Sequence, residues 1–401
     1  MIGPTPERRR ILYIVSHPIT ARVLLRGQLA WLRESGFDVT VVASPGPDLE
    51  ATAARERVTC IGVRIEREAA PIADLRALLR LVSIISEIRP HVVNASTPKA
   101  GLLGMTASRI ARVPVRIYLL RGLRLETTTG VKRMILGVAE RLTAALATRV
   151  IAVSPSLRRA FVDAGLGNER KVAVLGAGSS NGFDLERYAV TEARVVEAAA
   201  LRARLGIAPD EVVIGFVGRF VEDKGISVAL DVFDRLSAGR PLLRLMLVGG
   251  SFAGDRLSAS VSARIRDSRG IINVGVVDEV APYYRAMQVF AFPSLREGFP
   301  NAPLEAAAAG VPTVGFRVTG LVDAVENGFT GTLVDPGDVA GFARAVADYV
   351  DNPDLRAEHG ESAAQRASDF ANQVVWDAWL EEYARLVGLP AGELGRAHGQ
   401  D

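Results

Sequence analysis

The 401-residue sequence has a single cysteine, Cys60, and four scattered histidines, His17, His91, His359 and His398. One thiol excludes an internal disulfide and any cysteine-built metal cluster, and it fits a reducing cytosol. The histidines lack the short spacing of a transition-metal site, so no metal is expected. Aromatic residues are sparse at 6%, and none are interleaved with a basic stretch, so no nucleic acid partner is expected either. Long apolar runs are also missing. The basic start MIGPTPERRR is followed only by ILYIV, too short for a secretory signal core, and nothing later nears the run of about 18 apolar residues that reads as a membrane span. The expectation is a cytoplasmic protein, soluble or peripheral at the inner face of the membrane.

With 49% hydrophobic and 23% charged residues the chain is ordinary globular material, long enough for two or three domains with their own cores. The net charge is only +3, yet between Arg116 and Val172 eleven Lys or Arg face four acids. That segment reads as a basic patch for an anionic membrane surface or a phosphorylated acceptor, or else as solvated arginines.

Strand and helix patterns alternate along the chain. ILYIV is a buried parallel strand, Thr20–Ser35 a helix ended by Gly36, and 37–44 a second strand. His17, in the loop SHPIT, then lies at the carboxyl edge of a sheet, where open α/β sheets bind ligands. Residues 57–65 read as a strand, 72–90 as a helix stopped by Pro90, and 91–97 as a strand opening onto TPKAG, where Thr97 and Lys99 form a candidate anion site. VRIYLLRGLRLETTTG runs strand to loop, with Arg121, Arg124 and Glu126 as acceptor or phosphate contacts, or as loop surface. A helix at 131–148 and a strand and helix in TRVIAVSPSLRRAF close this half. Such alternation argues for a doubly wound parallel sheet. A second sheet starts at 211–220, whose strand ends at Gly218 with Arg219 projecting and Lys224 just beyond, two cations able to neutralise a diphosphate.

The chain is organised around SLREGFPNAPLEAAAAGVPTVGF, residues 294–316. Gly298 and Pro300 shape a turn delivering an Ala-rich helix that Gly310 and Pro312 end. The helix N-terminus near Asn301 suits a phosphate. Glu297 and Glu305 would repel it, so they read as acceptors for sugar hydroxyls either side of a diphosphate. The plainer alternative is a solvated loop acid and a glutamate that favours a helix start.

This stretch resembles the Glu-x7-Glu signature of retaining, GT-B type glycosyltransferases of family 4. GLVDAVENGFTGTLVDPGD follows the same pattern at nearly every Gly and Pro, and FVGRFVEDKGI matches the family's Gly-Arg followed by Lys-Gly. The likeness spans roughly residues 11–385 and is more specific in the C-terminal half. It implies two Rossmann-like domains: an acceptor-binding domain at 1–190, with the helix 370–388 packing back on it, and a nucleotide-sugar domain at 191–369, followed by a tail at 389–401. It also implies that a sugar passes with retention from a nucleotide-diphosphate donor, UDP-linked by expectation, to an acceptor hydroxyl without metal or enzymatic base. Arg219, Lys224 and Glu297 would be catalytic. Gly218, Val276, Val277, Gly298, Phe299, Pro300, Asn301, Leu304 and Glu305 would hold the donor, with Tyr283 or Tyr284 packing near the base. His17, Thr97, Lys99, Arg121 and Arg124 would face a saccharide or lipid-linked acceptor, as in members building glycan repeats on polyprenyl diphosphate. The chain departs from the family by lacking Gly-Gly in the His17 loop, by having Arg121 where His is common, and by having Thr319, Gly320 and Asp323 in place of Gly-Gly and Glu. Rival readings are a nucleotide-sugar 2-epimerase and a silent scaffold subunit of a polysaccharide assembly complex.

Overall fold

The computed structural model describes residues 8–66, 70–251, 255 and 257–389. The chain divides into two compact units. One takes the residues through Gly182 together with those from Asn372 onward, and the other is Phe183–Ala371.

The first unit alternates β1 (Arg10–Ile14), α1 (Pro18–Leu24), α2 (Gln28–Glu34), β2 (Asp38–Ala43), α3 (Pro47–Glu56), β3 (Thr59–Gly62), α4 (Pro71–Ile88), β4 (Val92–Ser96), α5 (Pro98–Ile110), β5 (Val115–Leu120), α6 (Gly130–Leu146), β6 (Arg149–Ala152), α7 (Pro155–Asp163) and β7 (Val172–Ala173). The strands form one parallel sheet in the order β3-β2-β1-β4-β5-β6-β7. All five residues of β4 are buried, as expected of a strand covered on both faces. The helix expected over Thr20–Ser35 is broken in two. Gly27 sits at φ 77°, and its N–H and that of Ala30 donate to the buried Glu56 carboxylate at 3.0 and 3.2 Å, so an acid at the end of α3 caps α2. A side chain at Gly27 would strike the Trp376 ring. The strand expected over 57–65 is only the four residues of β3.

The second unit runs α8 (Leu185–Tyr188), α9 (Glu192–Arg204), β8 (Val212–Arg219), α10 (Ile226–Ser237), β9 (Leu243–Gly250), α11 (Ala259–Asp267), β10 (Ile271–Gly275), α12 (Ala281–Ala286), β11 (Val289–Phe292), α13 (Asn301–Ala308), β12 (Thr313–Phe316), α14 (Leu321–Ala324), β13 (Gly331–Val334), α15 (Val339–Asp351) and α16 (Pro353–Ala367). Its parallel sheet has the order β10-β9-β8-β11-β12-β13. Alternate residues of β8 enter different cores: Ile214 and Phe216 join Phe233, Phe316 and Phe342, while Val213 joins Tyr284, Phe290 and Leu304. Both faces of the sheet are therefore covered. Residues 183–190, expected in the first domain, pack into this unit, because the Phe183 and Tyr188 rings meet at 5.9 Å within the Tyr284 core.

The closing helix α17 (Asn372–Val387) belongs to the first unit. Its Tyr383 hydroxyl shares a 2.7 Å hydrogen bond with that of Tyr13 and accepts another from Asn94 Nδ2, and Trp379 Nε1 donates to the Ser180 carbonyl. The expected tail lies, beyond Leu389, outside the described residues.

Candidate functional site

In the second sheet the chain moves outward from β8 through β9 to β10, then returns to the other side of β8 with β11. Ligands of open α/β sheets bind at the carboxyl ends flanking such a reversal. The last residue of β8 is Arg219, and the loops leaving β8 and β11 carry Lys224 and Glu297. They touch so closely that a side chain at Gly225, φ 76°, would lie 2.2 Å from the Pro293 carbonyl oxygen. Lys224 Nζ lies 2.6 Å from Glu297 Oε1, and the fully buried Ser294 places its Oγ 2.6 Å from the same oxygen. The ammonium also stands 5.9 Å from the centre of the Phe292 ring. Arg219, at the tip of β8, is half exposed and lies 3.6 Å from Asp255. The structure thus joins Lys224 to Glu297, while the Arg219 guanidinium reaches toward Asp255.

A third loop completes this edge. Gly320, at φ 79° before α14, abuts the Gly298 carbonyl, leaving 2.3 Å for any side chain there. The turn of Gly298 is therefore clamped from the segment that carries Thr319 and Asp323. Pro300 stands at the N-cap of α13 and gives no side-chain cap, so the helix start meets the edge with its backbone dipole. Two donor candidates turn inward: Leu304 is core, and the Phe299 ring packs 5.1 Å from that of Phe370. Leu304 can serve a ligand only through its backbone, while Phe299 stays partly exposed.

Glu305 lies one turn into α13 with its carboxyl enclosed. Tyr284 donates a 2.9 Å hydrogen bond to Oε2, and Tyr188 also bonds the carboxyl. Burial raises the Glu305 pKa above the ordinary carboxylate range, and the two tyrosine bonds pull it back. Tyr284, expected beside a base, is instead fully buried, packing against Tyr188 and Phe290. Nearby, Arg187 grips Glu279 through two nitrogens, the shortest contact 2.7 Å. At the end of β10 the ladder slips between Asn273 and Gly275, after which Val276 is exposed and Val277 rests on the core.

In the first unit the candidates all follow carboxyl ends of strands, yet most are tied to neighbours. His17 Nδ1 caps α1 by accepting from the Ile19 N–H at 3.3 Å. Thr97, at φ 74°, shares a 2.7 Å hydroxyl bond with Ser16. Lys99 pairs with Asp74 at 2.7 Å, so the anion site expected there already holds a carboxylate. Arg121 donates to Ser180 Oγ at 2.5 Å, while its Nε and other terminal nitrogen are enclosed without a partner. Burial pushes its pKa down to about 10. Arg124 is exposed. The basic patch expected over 116–172 is largely dispersed: Arg116, Arg133, Arg141 and Lys171 hold backbone carbonyls, and Arg149 and Arg158 pair with Glu382 and Glu169.

Residues 20–178 match the glycosyl transferase 4-like domain and residues 211–352 the model of glycosyl transferases group 1. A capsular polysaccharide biosynthesis glycosyltransferase, CapM of Staphylococcus aureus, is 33% identical over 371 residues, 92% of this chain and 96% of the relative. This chain is a glycosyltransferase of the group 1 family. The D-inositol 3-phosphate glycosyltransferase of Streptomyces coelicolor is 33% identical over 206 residues, 47% of this chain and 45% of the relative. Anabaena Alr3699/HepE, solved in complex with UDP and glucose, superposes with a TM-score of 0.78 at 21% identity, covering 94% of this chain and 100% of that one. The glycosyltransferase has the GT-B fold of that neighbour.

Sequence reading missed Ser294, Tyr188 and the clamp at Gly320. Ser294 follows directly on the strand VFAF and Pro293, a position that could have marked it as an edge residue. Tyr188 offered no signal, because its partner Glu305 is 117 positions away in the sequence.

Proposed function

We propose that this glycosyltransferase moves a sugar, with retention at the anomeric carbon, from a UDP-linked donor on its second unit to a hydroxyl of a polyprenyl-diphosphate-linked saccharide, in the building of a cell-surface polysaccharide. The observation that carries this reading is the Lys224–Glu297 pair at 2.6 Å on the edge where β8 and β11 diverge. It sets a cation beside a hydroxyl acceptor, the two chemistries a sugar diphosphate requires.

Strand spacing supports the layout. Neighbouring strands lie about 4.8 Å apart, so the main chain at Val276 and Val277 stands roughly 10 Å to one side of β8 and the Glu297 loop roughly 5 Å to the other. A nucleotide sugar fits that span with its base at Val276 and Val277, its diphosphate before Gly218, Arg219, Lys224 and the start of α13 at Asn301, and its sugar at Glu297 and Gly298. Glu305 takes the ribose hydroxyls on Oε1, since Oε2 already accepts from Tyr284.

As the bond from the anomeric carbon to the diphosphate oxygen breaks, negative charge grows on that oxygen, and Lys224, Arg219 and the α13 dipole stabilise it without a metal. The acceptor oxygen bonds the carbon from the same face, and its proton passes to the departing phosphate. Arg124 and Arg121 are the first-unit cations suited to a phosphorylated acceptor. The CapM relative, named for capsular polysaccharide biosynthesis, supports the pathway class, and UDP in the Anabaena structure supports the nucleotide.

A thermal-shift panel of UDP-, GDP- and ADP-sugars tests the donor. A ligand at about a hundred times its Kd adds roughly 2.7 kcal/mol, a rise in Tm of about 5–10 °C for a unit of this size. UDP-sugars alone should give it. A response confined to another nucleotide overturns the donor assignment, and conversion of the donor to its 2-epimer without acceptor overturns transfer itself.

A further inference from the structure

Helix α6 is apolar on the face turned away from its own core. Glu140, Thr143 and Ala144 point inward, with the Glu140 carboxylate accepting a 2.8 Å bond from Tyr118. At 100° per residue, Val131, Met134, Ile135, Val138 and Leu142 form one stripe on the opposite side, 47–68% exposed. A water-facing helix surface ordinarily carries polar residues there. Lys132 and Arg141 border the stripe on its two sides, and no exposed residue of α6 is acidic.

Helix α4 carries a second apolar stripe, with an exposed acid, Glu87, only in its last turn. Ile72, Leu75 and Leu79 are exposed along one line, beside exposed Arg76 and Arg80. The mostly buried α5 packs against both α4 and α6, so the two stripes flank it. Both helices follow strands of one parallel sheet, and their first turns therefore stand at the carboxyl edge that bears Arg121 and Arg124.

We propose that the outer faces of α4 and α6 dock this unit on an anionic lipid bilayer, with the two aliphatic stripes in the headgroup boundary and Lys132, Arg76 and Arg80 on the phosphates. Aliphatic stripes bordered by cations are the composition of an interfacial helix. The aromatic anchors that dominate protein–protein interfaces are missing from both stripes. The purpose, meeting a lipid-linked acceptor at the carboxyl edge, rests on the function proposed above; the surface assignment rests on the exposed faces alone.

Flotation of the full chain with vesicles of phosphatidylcholine, with and without phosphatidylglycerol, decides it. No sugar substrate is present, so failure here is separate from failure of the transferase reading. Binding to the phosphatidylglycerol vesicles is expected, weakened about 100-fold by Val131→Ser, Ile135→Ser and Val138→Ser together and about fivefold by Lys132→Ala alone. These positions are exposed, so the variants should keep the wild-type Tm and wild-type turnover of a water-soluble acceptor. The proposal is overturned by absence of vesicle binding, by equal binding to neutral vesicles, by undiminished binding of the triple variant, or by a wild-type dimer in solution that the triple variant dissolves.

Discussion

Replacing Lys224 with methionine removes a charge and leaves a stem of similar length beside the Phe292 ring. In the resting protein the ammonium spends one of its three donors on Glu297 at 2.6 Å. A unit charge about 4 Å from another is worth about 4 kcal/mol at an effective dielectric near 20. Because Lys224 is about one-third exposed, solvent screening reduces that figure, and a loss of about 3 kcal/mol, or 10²-fold in kcat, is expected. Stability should change little, since a partly exposed ion pair contributes at most about 1 kcal/mol. The assay is initial-rate kinetics at saturating acceptor, with Tm measured in parallel: kcat falls about 100-fold and the donor KM less than fivefold. A double-mutant cycle with Glu297→Gln separates two roles. If Lys224 served only to hold Glu297, its substitution would cost nothing in the Glu297→Gln background; if it stabilises the leaving diphosphate, most of the loss persists there. A kcat within about threefold of wild type in Lys224→Met would refute the reasoning.

Glu305→Gln should raise the donor KM about tenfold with little effect on kcat, and Tyr284→Phe should do so more weakly because Tyr188 still bonds the carboxyl. As burial raises the Glu305 pKa, donor affinity should start to fall with acidification at a pH above the ordinary carboxylate range, which a KM profile against pH reads. Glu140 offers a stability test: burial lifts its carboxyl from 4.5 to about 7, so the folded state favours the protonated form. The sign follows from linkage: this contribution is complete below the unfolded value and is lost as pH rises toward 7, by about 2–3 kcal/mol. Glu140→Gln, which keeps a partner for Tyr118, should flatten that part of the Tm profile and raise stability at pH 8, and an unchanged slope would contradict it.

The two-sheet architecture was legible because buried parallel strands leave continuous apolar runs such as ILYIV and VIGFVG, bounded by Gly and Pro. The Lys224–Glu297 meeting was legible only as a consequence of both loops leaving one edge. What could not be read were features set by distant partners. The break at Gly27 depends on Glu56 and Trp376, neither of which alters the helical pattern of 20–35. Lys99 looked like an anion site because Asp74, its partner, lies in the helix before its strand. The arginines of 116–172 summed to a patch in sequence, but the fold directs most of them to carbonyls and acids within reach.

Ser294 explains how the Lys224–Glu297 pair can be both stable at rest and open to a substrate. Its hydroxyl has one proton, and the oxygens of Glu297, Asp223 and Arg296 lie at 2.6, 3.3 and 3.4 Å, so the proton goes to Glu297. Were Lys224 the sole partner, drawing its ammonium toward a diphosphate would leave a largely buried carboxylate unpaired, at a cost of about 1–3 kcal/mol. With Ser294 donating to the same oxygen, that penalty is reduced, so in the proposed reaction Glu297 would stay oriented for a sugar hydroxyl while the lysine turned to the phosphate. By this physical criterion the edge where β8 and β11 diverge is suited to the charge movement that the proposed transfer requires.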